Sequence, residues 1–176
     1  IEYCLLALNL SKSQCDELMR PILRAALPKA GYNRNFPKEV IHGPTSLLGA
    51  DIHHPYMTQL IAHLDILLWN GGQDTIMGQL LTGNLETTKL ELGLPGPFFG
   101  QDFGIFGKLT TNSWIKGVWE ELNTIGTDIR LDEHTASLTL QRQDDRFLIE
   151  AFAANGYRNK QLCTLNRCRL RLHAVT

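Results

Sequence analysis

Apolar residues recur every three to four positions over most of the chain, the spacing of helices that bury one face. Ser11, followed three residues later by Gln14, forms a capping-box pattern, and Cys15, Leu18, Ile22, Ala25 and Ala26 follow at helical spacing. This predicts a helix from about Lys12 to Leu27, kinked or split at Pro21 and ended by Pro28 and Gly31. Phe36-Pro37 reads as the entry to a short helical turn carrying Val40 and Ile41, closed by Gly43-Pro44. His54-Pro55 opens the clearest helix, striped by Met57, Leu60, Ile61, Leu64, Leu67 and Leu68, which runs to Trp69 and stops at Gly71-Gly72. Asp74 then caps a helix bearing Ile76, Met77, Leu80, Leu81, Leu85 and Leu90, ended by Gly93, and the short glycine turn between the two predicts an antiparallel pair.

From Gly93 to Gly107 five glycines and two prolines are interleaved with Phe98, Phe99, Phe103 and Phe106. Such a segment disfavours a stable helix yet is too aromatic for a solvated linker, so it is expected to lie pinned on a helical core. Ser113 caps a helix from Trp114 to about Leu122, with Trp114 and Trp119 read as core. Thr127 to Leu131 and Ala136 to Leu140 alternate with period two around Asp132-Glu133-His134, compatible with a small β-hairpin. Asp144 or Asp145 is expected to cap a helix carrying Phe147, Leu148, Ala151 and Phe152, ended by Asn155-Gly156. A last helix from Asn159 carries Leu162, Leu165, Cys168, Leu172 and Val175 on one face. The fold class is therefore mainly α: a helical bundle with a Gly/Pro/Phe-rich loop and room for that hairpin. The expected divisions are a helical subdomain 1–92, an aromatic connector 93–109 and a second, mostly helical subdomain 110–176.

Composition changes this picture little. With 176 residues, 43% apolar and 20% charged, the chain is an ordinary globular one. The apolar run Cys4 to Leu8 is too short to span a bilayer and follows Glu2, so neither a secretory signal nor a membrane contact is expected, and the location expected is intracellular. The four cysteines have no paired C-x-x-C spacing and are expected as free thiols. The first residue is Ile1, which suggests a piece of a longer product.

Charge matters by region. The net charge of −1 supports no global electrostatic argument, but Lys12 to His42 holds six basic and three acidic residues, and Gly43 to Gly107 one basic and six acidic. Tyr157 to Thr176 holds five basic residues and no acid. Basic ends flank an acidic middle, and the ends are the most usable signal for contact with phosphates.

Catalytic and metal chemistry find no footing in the residues. Asp144-Asp145 lies in a polar stretch at a predicted helix start, where acids suit the helix dipole, rather than between apolar strands as a two-metal carboxylate pair would. His42, His53, His54 and His63 fall close together in sequence without a zinc spacing, and Cys163, Cys168 and His173 do not match one either. No serine sits in G-x-S-x-G and no G-x-x-x-x-G-K-[ST] loop occurs, so a free-standing hydrolase lacks its nucleophile and base.

Several blocks together carry a resemblance. Ser11 to Leu23, Leu27 to Tyr32, Phe36-Pro37 and His42-Gly43-Pro44 resemble the stretch downstream of the polymerase core in reverse transcriptases of non-LTR-type retrotransposons. Thr58 to His63, Gln79 to Leu81, Leu90 to Gly93, Phe147 to Phe152 and Leu165 to Leu170 look like later blocks of algal-type elements. Leu48-Gly49-Ala50-Asp51-Ile52 departs from the glycine-rich turn of that family, and its aromatic-x-Asp-Asp block is absent. The resemblance implies a noncatalytic thumb or connector of an RNA-directed DNA polymerase. It would clamp template-primer nucleic acid beside an upstream polymerase domain of the same chain, with no cofactor in this segment and magnesium in the missing palm. Lys12, Arg20, Arg24, Lys29, Arg34, Arg167, Arg169 and Arg171 would make the phosphate contacts. The alternative is a helical protein-interaction module that docks through the acidic middle and the Phe98 to Phe106 loop.

Overall fold

The computed structural model describes residues 2–131, 138–140 and 142–176, and among them helices are the only regular elements. The mainly α, helical-bundle class holds. Internal contacts divide the chain into two compact units, Ile1–Leu64 and Asp65–Thr176. The division falls within a helix, and the boundary expected after residue 92 lies inside the second unit.

In the first unit, α1 (Glu2–Ala7) leads into α2 (Lys12–Lys29). The capping box forms as expected: the Gln14 amide donates to Ser11 Oγ at 3.3 Å, and the Ser11 amide donates to Gln14 Oε1 at 2.8 Å. Pro21 does not split α2, and Pro28 lies within its last turn. A proline removes one rung of the ladder, and the apolar line Cys15, Met19 and Leu27, buried along one side, holds the rest together. That line is not the predicted one, for Leu18 and Ile22 are exposed. At the far end Gly31 takes a φ of 82°, Tyr32 N–H donates to Leu27 and Gly31 N–H to Pro28, which closes the helix with a Schellman motif.

The short turn appears as α3 (Lys38–Ile41). The loop after it folds back onto α3: the Ala50 and Ile52 amides donate to the Val40 and Ile41 carbonyls at 2.9 and 3.1 Å. His42 Nδ1 donates to the Ile52 carbonyl at 2.6 Å. Gly49 passes so close to Gly43 that a Cβ there would run into the Gly43 carbonyl. Helix α4 (Pro55–Asn70) begins and ends where expected but turns a different face inward. Gln59, Leu60, His63 and Leu67 are buried, while Met57, Ile61, Leu68 and Trp69 are exposed. Gln59 is buried because its amide both accepts from and donates to the Leu10 backbone, at 3.0 and 3.1 Å.

In the second unit, α5 (Ile76–Leu92) is capped by Thr75, not Asp74, and ends at Gly93 with φ 62°. It packs against α9 (Asn159–Arg171). Leu81, Leu85 and Leu92 are buried, whereas Ile76, Met77, Leu80 and Leu90 are exposed. The aromatic connector is part of this core. Phe98, Phe99 and Phe106 are buried, and the short α6 (Phe103–Phe106) forms inside the segment whose glycines and prolines disfavour a helix. Helix α7 (Trp114–Ile125), capped by Ser113 as expected, supplies Trp119, which packs against a tilted Phe98 ring and edge-to-face against Phe103, with centroids 4.8 and 5.0 Å away. Its indole N–H donates to the Gln101 carbonyl at 2.9 Å.

Helix α8 (Leu148–Ala154) starts after Phe147 without a side-chain cap. Asp145 accepts instead from the Arg142 amide at 3.1 Å, so neither aspartate performs the expected capping. The expected hairpin lies partly outside the described residues, at 132–137, and its flanks 127–131 and 138–140 carry no strand. Helix α9 keeps its expected start, but Cys168 and Leu172 are exposed while Asn166 and Arg169 are buried.

Candidate functional site

The α2 helix presents Asp16, Arg20, Leu23, Arg24 and Leu27 at i, i+4, i+7, i+8 and i+11, the spacing of a single face. Beside this face, the Schellman turn reverses the chain and brings Arg34 and Phe36 alongside, and α3 adds Lys38, Ile41 and His42. Together they line a groove of about 300 Å³ within the first unit. Its floor is apolar, with Met19, Leu27 and Ile41 buried and Leu23 and Phe36 half-buried. Its rim is basic.

One end of the groove is internally neutralised. Asp16 accepts from Lys38 Nζ at 3.0 Å and from His54 Nε2 at 3.2 Å. The hydrogen bond from the Lys38 ammonium, and then that from His54, hold the Asp16 carboxyl below the usual carboxylate range. The Tyr56 amide donates to His54 Nδ1 at 3.2 Å, which places the ring proton on Nε2 toward Asp16. Both nitrogens of this Asp–His pair are thus engaged, and neither is left to serve as a general base. The lining contains no Ser, Thr or Cys. By contrast, among the described residues Arg20, Arg24 and Arg34 form no ion pair. All three are exposed.

The eight basic residues singled out from sequence do not share one fate. Arg20, Arg24 and Arg34 meet at the groove; Lys12 and Lys29 are exposed on α2 but do not line it. Arg167 and Arg171 are exposed one turn apart on α9. Arg169 is interior, 4% exposed, with its guanidinium committed to the carbonyls of Leu90, Glu91 and Ala174 and to Asn166 Oδ1, so it offers nothing to a phosphate. Burial lowers the pKa of this guanidinium. Sequence reading missed Lys38, His42 and Asp16 as groove residues. The charge balance of the 12–42 stretch, to which Lys38 contributes, was the signal pointing there.

Among the described residues no three His, Cys, Asp or Glu side chains gather as a metal site, and no helix is long and apolar enough to cross a membrane. No family model matches the chain, and no curated protein and no solved structure matches it. Contrary to the expectation carried by the resemblance, no relative supports a reverse-transcriptase, retrotransposon, RNA-directed DNA polymerase or nucleic-acid-binding assignment. The aromatic loop is likewise no docking face, since Phe98, Phe99 and Phe106 are core.

Proposed function

We propose that this chain is a noncatalytic, helical protein-interaction module that holds an acidic partner in the groove of its first unit. The observation that carries this reading is the set of three guanidiniums, Arg20, Arg24 and Arg34, without ion-pair partners among the described residues around a shared apolar floor. A basic rim steers and orients an acidic partner, while the floor supplies contact area that pure electrostatics lacks. The lining offers no hydroxyl or thiol nucleophile, and its one carboxylate, Asp16, is held by Lys38 and His54.

Titration of the full chain with a labelled oligo-glutamate peptide tests this. Binding is expected to weaken with salt and to vanish in the triple charge reversal Arg20→Glu, Arg24→Glu, Arg34→Glu, while circular dichroism stays unchanged because all three positions are exposed. Undetectable binding, or a short nucleic-acid duplex binding as tightly as the peptide, overturns it.

A further inference from the structure

We infer that the segment held in the groove is an acidic amphipathic helix, with carboxylates one turn apart facing Arg20 and Arg24 and an apolar side chain between them over Leu23. This deepens the interaction-module reading and rests on it.

Arg20 and Arg24 are separated by four helical residues, a rise of about 6 Å, so a helix laid along α2 repeats its own i and i+4 side chains at the same interval. An extended segment repeats its same-face side chains at roughly 6.8 Å, a looser match to that interval. Chemistry narrows the occupant further. A flexible polyanion would satisfy the guanidiniums but leave Leu23 and Phe36, both half-buried at the floor, facing water. A purely apolar segment would cover those two but strip water from three cations that have no ion-pair partner among the described residues. A segment that alternates acidic and apolar positions at helical spacing answers both demands, which is the helix-in-groove mode of recognition.

The dimensions agree. A volume of about 300 Å³ lies at the small end of the range for ligand pockets, and suits one or two inserted side chains of a larger partner better than a whole cofactor. Arg34 and Phe36 wall the groove from the turn after α2, so an apolar side chain over Leu23 would also meet the Phe36 ring.

The test compares two labelled peptides of identical glutamate, leucine and alanine content on the full chain. One places its glutamates four apart with a leucine on the same face, and the other scrambles the order. The patterned peptide is expected to bind at least about tenfold tighter, the effect of burying one large apolar side chain. Leu23→Gln is expected to erase that preference while leaving the salt-dependent part of binding in place. Because Leu23 is half-buried, Arg24→Ala at an exposed position is the second variant, expected to weaken the patterned peptide and flatten its salt dependence. Equal binding of the two peptides overturns the inference while the interaction-module reading stands. Failure of both peptides and of oligo-glutamate removes both.

Discussion

Arg169 of α9 donates from Nη2 to the Glu91 carbonyl oxygen at 2.7 Å, and so caps the C-terminal end of α5 with a buried cation. The same nitrogen reaches the Leu90 carbonyl at 2.7 Å, Nη1 reaches Ala174 at 3.2 Å, and Nε donates to Asn166 Oδ1 at 2.9 Å. Asn166 in turn donates to Glu91 and Leu109 carbonyls at 2.9 and 3.3 Å. The last carbonyls of a helix have no partner within it and carry the negative end of its dipole, so a guanidinium there answers both needs.

Replacing Arg169 is therefore expected to destabilise the second unit rather than to weaken binding. Arg169→Met should lower stability by roughly 2–4 kcal/mol, because several buried carbonyls lose their donor at once. Arg169→Lys should recover only part of this, since an ammonium cannot reproduce the planar fork. Urea unfolding monitored by circular dichroism reads both changes, and an Arg169→Met variant as stable as the parent would contradict the capping role.

Gly93 is the companion position. Its φ of 62° is left-handed, and a Cβ there would lie 2.7 Å from the Arg169 guanidinium carbon. Gly93→Ala should destabilise by at least about 1–2 kcal/mol from backbone strain alone. A midpoint of urea unfolding within error of the parent would show that the turn tolerates a side chain.

Phe98 packs on Trp119 inside the second unit and is 4% exposed. Phe98→Ala should cost about 3–5 kcal/mol, the usual effect of emptying a buried aromatic site. The same substitution at a docking loop would leave thermal unfolding in place, so a calorimetric scan separates the two roles.

The acid limb of stability should carry the mark of Asp16. Its carboxyl is held below the usual range in the folded chain, first by the Lys38 hydrogen bond and then by that from His54. A depressed folded pKa contributes stability that is fully present above the unfolded value and is lost as pH falls through the folded one. Asp16→Asn is therefore expected to flatten the decline of stability below the ordinary carboxylate range, with the loss already present at neutral pH. Denaturation curves taken across that range in both proteins check it; parallel curves would rule the linkage out.

Thiol reactivity should sort by burial. Cys15 is fully buried, and burial followed by the neighbouring Asp16 charge pushes its thiol pKa up, whereas Cys4 and Cys168 are exposed. A thiol-disulfide reagent is expected to label Cys4 and Cys168 quickly and Cys15 only on unfolding. Mass mapping of the labelled sites decides this, and fast labelling of Cys15 in the folded chain would count against its placement.

Much of the helical layout was legible in the chain itself. Local rules suffice for it: the Ser11–Gln14 box, the Ser113 cap, the stops at Gly31, Gly93 and Gly156, and the turn at Lys38–Ile41 all depend on residues within a few positions of one another. The aromatic richness of 93–107 likewise announced a buried segment. Which side of each helix is buried was not legible. On α4 and α5 apolar residues surround the axis, so periodicity alone left several faces open, and Gln59 and Arg169 went inside because distant carbonyls were there to receive them. A polar side chain is buried only where partners await it, and those partners lie 49 to 79 residues away in the chain. The groove shows the same division. Its cations could be counted from the sequence, but only the turn that reverses the chain after α2 selects Arg20, Arg24 and Arg34 to meet over a common floor and leaves Lys12 and Lys29 outside it.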